Sequence, residues 1–487
     1  MKRRDFCLSA LAAGVTTSVP ACSRTSSNTI DAISGSGEEI SLERAAVREL
    51  AESLSGELYL PQQAGYDSAR KVWNGMIDKH PALIAQCRST NDVASAVRFA
   101  GERNLLLAVK GGGHSFPGKS TCDGGMMLDL SPMHAVDVDV QARTARVDGG
   151  ALLGHLDAAT FGHNLATTTG IVSHTGCGGF TLGGGLGRTD RLHGLAVDNV
   201  LAATVVTADG RVLQASAGEN PDLYWAIRGG GGNFGVITEF VYRLHPFNPT
   251  VYGGTLVYGF GQAKELLRLW AELNQTLPRE ANVEPLWFVG EDGMRMIVVE
   301  VVWSGNHSAG EMVLAPLLDF GRRAGGTLGP MDYSQFQTKD DAYMGHGKLN
   351  YLKSGFVVEL TEDAIDAIVD NYEGDWLPAG WFQHQGGAMA QVAPADTAFV
   401  HRDADLNVGI SSVWTDPSES EPRIAAIRSY YAALQPYIKG YYTNLNEESE
   451  QKTWGNFGEN YPRLVKIKNR YDPTNLFRLN ANIRPTR

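Results

Sequence analysis

The sequence predicts an α+β fold in two domains, and three observations carry that expectation. Between residues 105 and 244, short apolar or alternating runs at 105–109, 126–130, 145–147, 200–207 and 236–244 are separated by Gly, Asp and Pro, as strands are. After about residue 250 the chain becomes richer in aromatic residues. Strand-like runs at 286–289, 296–302, 355–360 and 408–414 are interleaved there with helical patterns at 263–273, 363–372 and 422–437. A charged helical segment, 461–470, then stops at Tyr471-Asp472-Pro473. Strands with helices interspersed, and no strict alternation, are the pattern of α+β architecture. With 487 residues, 43% of them hydrophobic, the chain can bury cores in both domains.

The first 37 residues read as an address and a linker. Lys2-Arg3-Arg4 precedes an apolar run, 8–19, too short to span a bilayer, and Arg3-Arg4-Asp5-Phe6 has the form of a twin-arginine export signal. Val19-Pro20-Ala21-Cys22 has the form of a lipoprotein cleavage box, and acylation of Cys22 would tether the protein to a membrane face. The expected location is therefore periplasmic, free or lipid-anchored, with no transmembrane span in the mature chain. Beyond the leader, 43–54 and 91–103 read as amphipathic helices, the second capped by Ser89, Thr90 or Asn91. The domain boundaries expected are a first domain at 60–248, a second at 249–444, and a tail at 445–487 that returns to the first.

Composition narrows the function. Fifty-four acidic against 42 basic residues give a net charge of −12, which disfavours a phosphate backbone as partner and excludes nucleic acid from the reading. Outside the leader only Cys87, Cys122 and Cys177 remain, too few for a disulfide framework, so either one exported pair or buried free thiols is expected. Fifty-six glycines exceed the usual share of about 7% and fall in clusters, which mark close approach of backbone to something.

Two of those clusters imitate nucleotide motifs. Residues 113–120 satisfy the P-loop pattern, yet Thr121-Cys122-Asp123-Gly124-Gly125 is a turn leading to a strand, where a P-loop opens a helix. Gly230, Gly232 and Gly235 satisfy GxGxxG, yet 236–244 alternates with period two, so no dinucleotide-binding helix begins there. The third cluster, 176–187, is glycine-dense enough to predict irregular backbone laid against a large flat or anionic ligand. Two of these loops carry a nucleophilic side chain, His114 and Cys177, of the kinds suited to add to an electrophilic ring carbon.

At these residues the sequence resembles the berberine bridge enzyme-like branch of the vanillyl-alcohol oxidase flavoproteins, with their PCMH-type FAD-binding domain. The likeness lies in Val109-Lys110-Gly111-Gly112-Gly113-His114-Ser115, in Thr169-Gly170-Ile171 with 175–187, in 223–238, and in 460–464 with 468–477. It implies covalent FAD, with His114 joined to the flavin 8α carbon and Cys177 to C6; attachment through His114 alone, with Cys177 a bystander, is the alternative. The cofactor-binding residues it implies are Gly111, Gly112, Gly113, Ser115, Gly176, Gly178, Gly179, Thr181, Gly184, Gly185, Gly235, Val236, Ile237, Asn480 and Asn482.

The resemblance implies oxidation of a hydroxyl-bearing carbon, in an oligosaccharide or other alcohol, by hydride transfer to flavin with O2 as acceptor. A dehydrogenase, a phenolic-alcohol oxidase and a flavin-carrying surface protein without activity stay open. Related oxidases carry Tyr-x-Asn-Tyr with the second tyrosine as base, and here Tyr442-Thr443-Asn444-Leu445 puts leucine there. Tyr442 and Tyr441 are thus the candidate bases, followed by His384 and Tyr351, with Trp381, Phe382 and Trp414 as a candidate sugar-stacking floor.

Overall fold

A computed structural model describes residues 28–445 and 453–486. The twin-arginine motif and Cys22 lie outside the described residues. Part of the stretch expected to be linker forms a strand: Thr29–Ile33 pairs antiparallel with Glu39–Glu43. Its apolar side chains explain this, since Ala32 and Leu42 are buried in one core with Val47 and Leu50 of the helix Arg44–Ser53.

The first half of the molecule is built on two sheets. One has the order Glu57–Tyr59, Leu83–Gln86, Met126–Asp129, Leu107–Lys110. Its last three strands are parallel, so a crossover is needed, and the helix Thr90–Glu102 supplies it. Ser89 caps that helix by accepting from the Asp92 amide at 3.2 Å. The second sheet is antiparallel, in the order Val212–Ser216, Val200–Val206, Val236–Arg243, Thr144–Asp148, Val136–Asp139. Both nucleotide-motif imitations run into strands, Met126–Asp129 and Val236–Arg243.

The second half is one seven-stranded antiparallel sheet, in the order Arg323–Asp332, Thr250–Gly259, Arg295–Trp303, Ala281–Val289, Ala379–His384, Leu406–Trp414, Leu349–Val357. Strand side chains alternate between faces. Val283, Trp287, Ile297, Val299, Val301, Val408 and Ile410 point to one face, where they share a core with the helices Ala263–Asn274, Glu362–Asp370 and Ser420–Leu434. The opposite face is therefore left for Glu284, Leu286, Glu300 and Ser411. The tail crosses back: Leu464, Ile467 and Tyr471 of the helix Tyr461–Tyr471 join the core of the five-stranded sheet. Fully buried Lys468 fixes it there, donating to Asn233 O at 2.8 Å, Phe477 O at 3.0 Å and Asp472 at 2.6 Å.

Some elements differ from the expectation. The strands Thr250–Gly259, Arg323–Asp332 and Ala379–His384 had no clear alternating signature; Arg323–Asp332 is a largely exposed sheet edge with glycines at 325, 326 and 329. The glycine-dense cluster was expected to be irregular, yet Cys177–Leu182 is a short helix. Burial of Cys177, Thr181 and Leu182 on its inner side outweighs the poor helix propensity of Gly178 and Gly179. All three described cysteines are free and buried, so Cys87 and Cys122 are not paired. Among the described residues no helix is long and apolar enough to cross a membrane.

Candidate active site

The site follows from two glycine loops that touch. A Cβ on Gly112 would lie 2.3 Å from the Gly176 nitrogen, and one on Gly176 would lie 2.3 Å from the Gly112 nitrogen, so only glycine at both positions lets these backbones meet. From this junction a cavity of about 460 Å³ opens between the two halves of the molecule. Its first wall is mostly backbone: residues 111–113, Gly176, Gly178, Gly179, Gly235 to Ile237, and Asn480, which donates to Gly232 O at 2.9 Å. A Cβ at Gly179 would meet nothing within 4 Å, so that residue leaves open space beside a flat wall. The opposite wall carries side chains from the bare face of the large sheet: Glu284, Leu286, Glu300, Leu352, Trp381, Gln383 and Ser411.

His114 stands on the first wall. It stacks on Trp73 at 4.7 Å, its Nε2 lies 2.6 Å from His174 Nδ1, and its Nδ1 lies 3.4 Å from Thr175 Oγ1. Burial, then the neighbouring His174 and His346, push its pKa well below the ordinary histidine value, so the ring is neutral and keeps a nucleophilic nitrogen. The three imidazoles each bring a nitrogen within 4.8 Å of one another. Ser115 is also on the wall.

Cys177 is placed otherwise. Its neighbours Gly176, Gly178 and Gly179 line the cavity, but its own side chain, 1% exposed, belongs to the core behind them with Leu153, Leu156 and Tyr242. Burial, then Asp157, push its thiol strongly upward, which holds it protonated and unreactive. Thr181, one turn on, shares that face and bonds Tyr242 Oη at 2.7 Å. Gly184 and Gly185 pack against Phe399 and Ala196, respectively, and Asn482 is off the wall as well.

The candidate bases and aromatic floor also separate. Tyr442 lines the cavity; its hydroxyl accepts from the Gly185 amide at 3.1 Å, the Leu186 amide at 3.2 Å and Asn444 Nδ2 at 2.9 Å. Burial outweighs these donors and pushes its phenol up to about 12. Leu445 sits beside it on the same wall. Tyr441 is off the wall, bonded by Gln435 Nε2 at 3.0 Å, and Tyr351 accepts from Arg428 at 3.0 Å. His384 is wholly buried between the Val283 amide and Asn274. Of the expected floor, Trp381 presents its ring, bonded to Ser411 Oγ at 3.1 Å; Phe382 touches the lining but turns its ring into the core against Trp270 and Trp287, and Trp414 is buried off the wall.

Sequence reasoning missed the charged end of the cavity. Arg188, 3% exposed, donates to Glu300 at 3.0 Å and to Gln337 at 3.2 Å, and Lys339 reaches Glu300 at 2.6 Å. Burial would raise Glu300, but Arg188 and Lys339 outweigh it and hold the carboxyl below its usual range. The available signal was a glutamate in the middle of each of two apolar runs, Val283-Glu284-Pro285-Leu286 and Val299-Glu300-Val301-Val302, because charge in a strand centre is rarely buried without a purpose.

This lining fits FAD: glycine backbone for a flat ring and a dinucleotide, with a neutral imidazole beside it. Known proteins agree. The FAD binding domain family matches residues 81–216, and the berberine and berberine-like family matches 441–484. An FAD-linked oxidoreductase of Dictyostelium discoideum is 32% identical over 444 residues, covering 90% of this chain and 97% of that protein. The glucooligosaccharide oxidase of Sarocladium strictum is 29% identical, covering 88% and 92%. The crystal structure of 6-hydroxy-D-nicotine oxidase from Arthrobacter nicotinovorans superposes with a TM-score of 0.81 at 30% identity, covering 88% of this chain and 98% of that one. With an FAD-binding first half and a tail that returns to it, the chain belongs to the berberine bridge enzyme-like family of FAD-linked oxidoreductases.

Proposed function

We propose that this protein oxidises a hydroxyl-bearing carbon of an oligosaccharide or another alcohol, with FAD held covalently through His114 and O2 as the final acceptor. The observation that carries the reading is a neutral imidazole on a glycine-built wall, facing a sheet that offers polar and aromatic side chains to a substrate. The glucooligosaccharide oxidase relative supports a sugar among the possible alcohols. When bound, FAD supplies the two-electron acceptor for the hydride that leaves the substrate carbon. The protein does the rest. Trp381 offers a ring face for stacking, and Gln383 and Ser411 offer hydrogen bonds.

A single attachment fits the chemistry better than two. His114 is neutral and at the wall, whereas Cys177 is a protonated thiol facing the core. Tyr442 in this reading secures the turn at Gly185 and Leu186, and a phenol near 12 is poorly matched to proton abstraction at neutral pH. The domains follow as an FAD-binding unit at 60–248 completed by 445–487, with a substrate unit at 249–444.

Export by the twin-arginine route, with or without acylation at Cys22, belongs to the same proposal, because that route carries folded proteins and a covalent cofactor travels with its enzyme. Normal export of an Arg3→Lys, Arg4→Lys form would contradict it. The test of the function is anaerobic mixing of the holoenzyme with a panel of oligosaccharides and alcohols. Bleaching of the flavin, followed by peroxide on readmission of air, is expected. A flavin that no member of the panel bleaches would overturn the reading, and reoxidation without peroxide would transfer it to a dehydrogenase.

A further inference from the structure

Ala281–Val289 and Arg295–Trp303 are neighbouring antiparallel strands, and their register sets Glu284 directly opposite Glu300 on the cavity face. The two carboxylates are treated unequally. Glu300 takes the close cations, Arg188 Nη2 at 3.0 Å and Lys339 Nζ at 2.6 Å. Glu284 has Arg188 Nε only at 4.0 Å, and its Oε1 receives long contacts from the His384 amide at 3.3 Å and Asn282 Nδ2 at 3.5 Å. Arg188 Nε itself is buried with no hydrogen-bond partner among the described residues. One carboxylate of the pair is thus neutralised at close range, while the other lines the cavity with only long contacts, its Oε2 no nearer than 4.0 Å to Arg188 Nε.

We propose that Glu284 is the proton acceptor for substrate oxidation in this cavity. The proposal rests on the function argued above. In the step, the substrate O–H bond breaks and its proton passes to a Glu284 carboxylate oxygen. The electron pair left on oxygen forms the second C–O bond as the carbon releases hydride to the flavin, so alcohol becomes carbonyl, the flavin is reduced by two electrons, and Glu284 ends protonated. Arg188, held by Glu300, stays cationic beside the developing oxyanion, with its free Nε hydrogen as a donor.

The surroundings tune the acceptor to neutral pH. Burial raises Glu284 most, Arg188 lowers it, and the charge of Glu300 across the strands raises it again, to about 7. Also near it are Asp190, which burial raises well above the carboxylate range, and Tyr333, which burial likewise raises. Lys339 and Asp340 lie beyond Glu300, paired with each other at 2.7 Å. A base must be deprotonated to act, so the rate of reduction should rise with pH through about 7 and level off above it.

The test uses holoenzyme carrying Glu284→Gln or Glu284→Asp, with two readouts. In anaerobic reduction by a substrate that bleaches the wild type, Glu284→Gln should slow the step at least about a hundredfold and abolish the inflection near neutral pH, with flavin content unchanged. Glu284→Asp should keep part of the rate; if Glu284→Gln does not accumulate as holoenzyme, a rate loss and displaced inflection in Glu284→Asp carry the test. Independently, infrared titration of the substrate-free wild-type holoenzyme should show a protonated-carboxyl band lost through neutral pH and missing in Glu284→Gln. Wild-type kinetics in the Gln variant would overturn the proposal and leave the oxidoreductase reading intact, even if the infrared band titrates. A wild type that no alcohol reduces would overturn both.

Discussion

The two walls of the cavity are made of different material. The first is backbone, brought close by glycines whose side chains would collide; the second is a row of side chains standing on a sheet face. Backbone can hold a large flat cofactor of fixed shape but has little means of moving a proton. Side chains at strand registers can carry charge and be exchanged without disturbing the fold. The same contrast separates His114 from Cys177: both follow glycines, but one points into the cavity and the other, at the start of a short helix, into the core.

The largest effect is expected from adding a methyl group to the backbone wall at two places. Gly112→Ala places a carbon 2.3 Å from the Gly176 nitrogen and should cost about 3 kcal/mol or more, or prevent folding, as read by urea unfolding. Gly179→Ala meets no neighbour, so stability should stay within about 0.5 kcal/mol of wild type while flavin loading falls. Equal effects at the two positions would show that the wall does not distinguish packing from cofactor space.

A smaller effect is expected where the walls meet. Tyr442→Phe removes the acceptor of three hydrogen bonds and should lower stability by about 1–3 kcal/mol. Anaerobic flavin reduction in that variant should stay within about threefold of wild type, far from the hundredfold expected of a lost base. A large kinetic loss with little change in stability would return the proton to the phenol.

The backbone wall was the legible part of the sequence. Glycine clusters at 111–113, 176–187 and 229–235 stand out in a single chain, and the failure of two of them to open helices was readable from the strand patterns that follow. Helix identities also came through, since Thr90–Glu102 carries a clear cap and Tyr461–Tyr471 a clear stop. The side-chain wall was not legible, because Glu284, Glu300, Arg188 and Lys339 come from four separate elements, and only strand register sets the two glutamates opposite each other. Cys177 misled for a related reason. Its chemistry was visible, but the direction of its thiol depends on the helix Cys177–Leu182, which glycine content argues against and core burial enforces. The aromatic residues of Ala379–His384 show the same limit: a period of two decides that Trp381 faces the cavity and Phe382 the core.

The most direct test of the account is to run the purified holoenzyme on a denaturing gel under ultraviolet light and to analyse its peptides by mass spectrometry. The account predicts a fluorescent band, flavin mass on the His114 peptide, and an unmodified Cys177 peptide. Flavin on the Cys177 peptide, or a colourless chain after confirmed FAD loading, would contradict it.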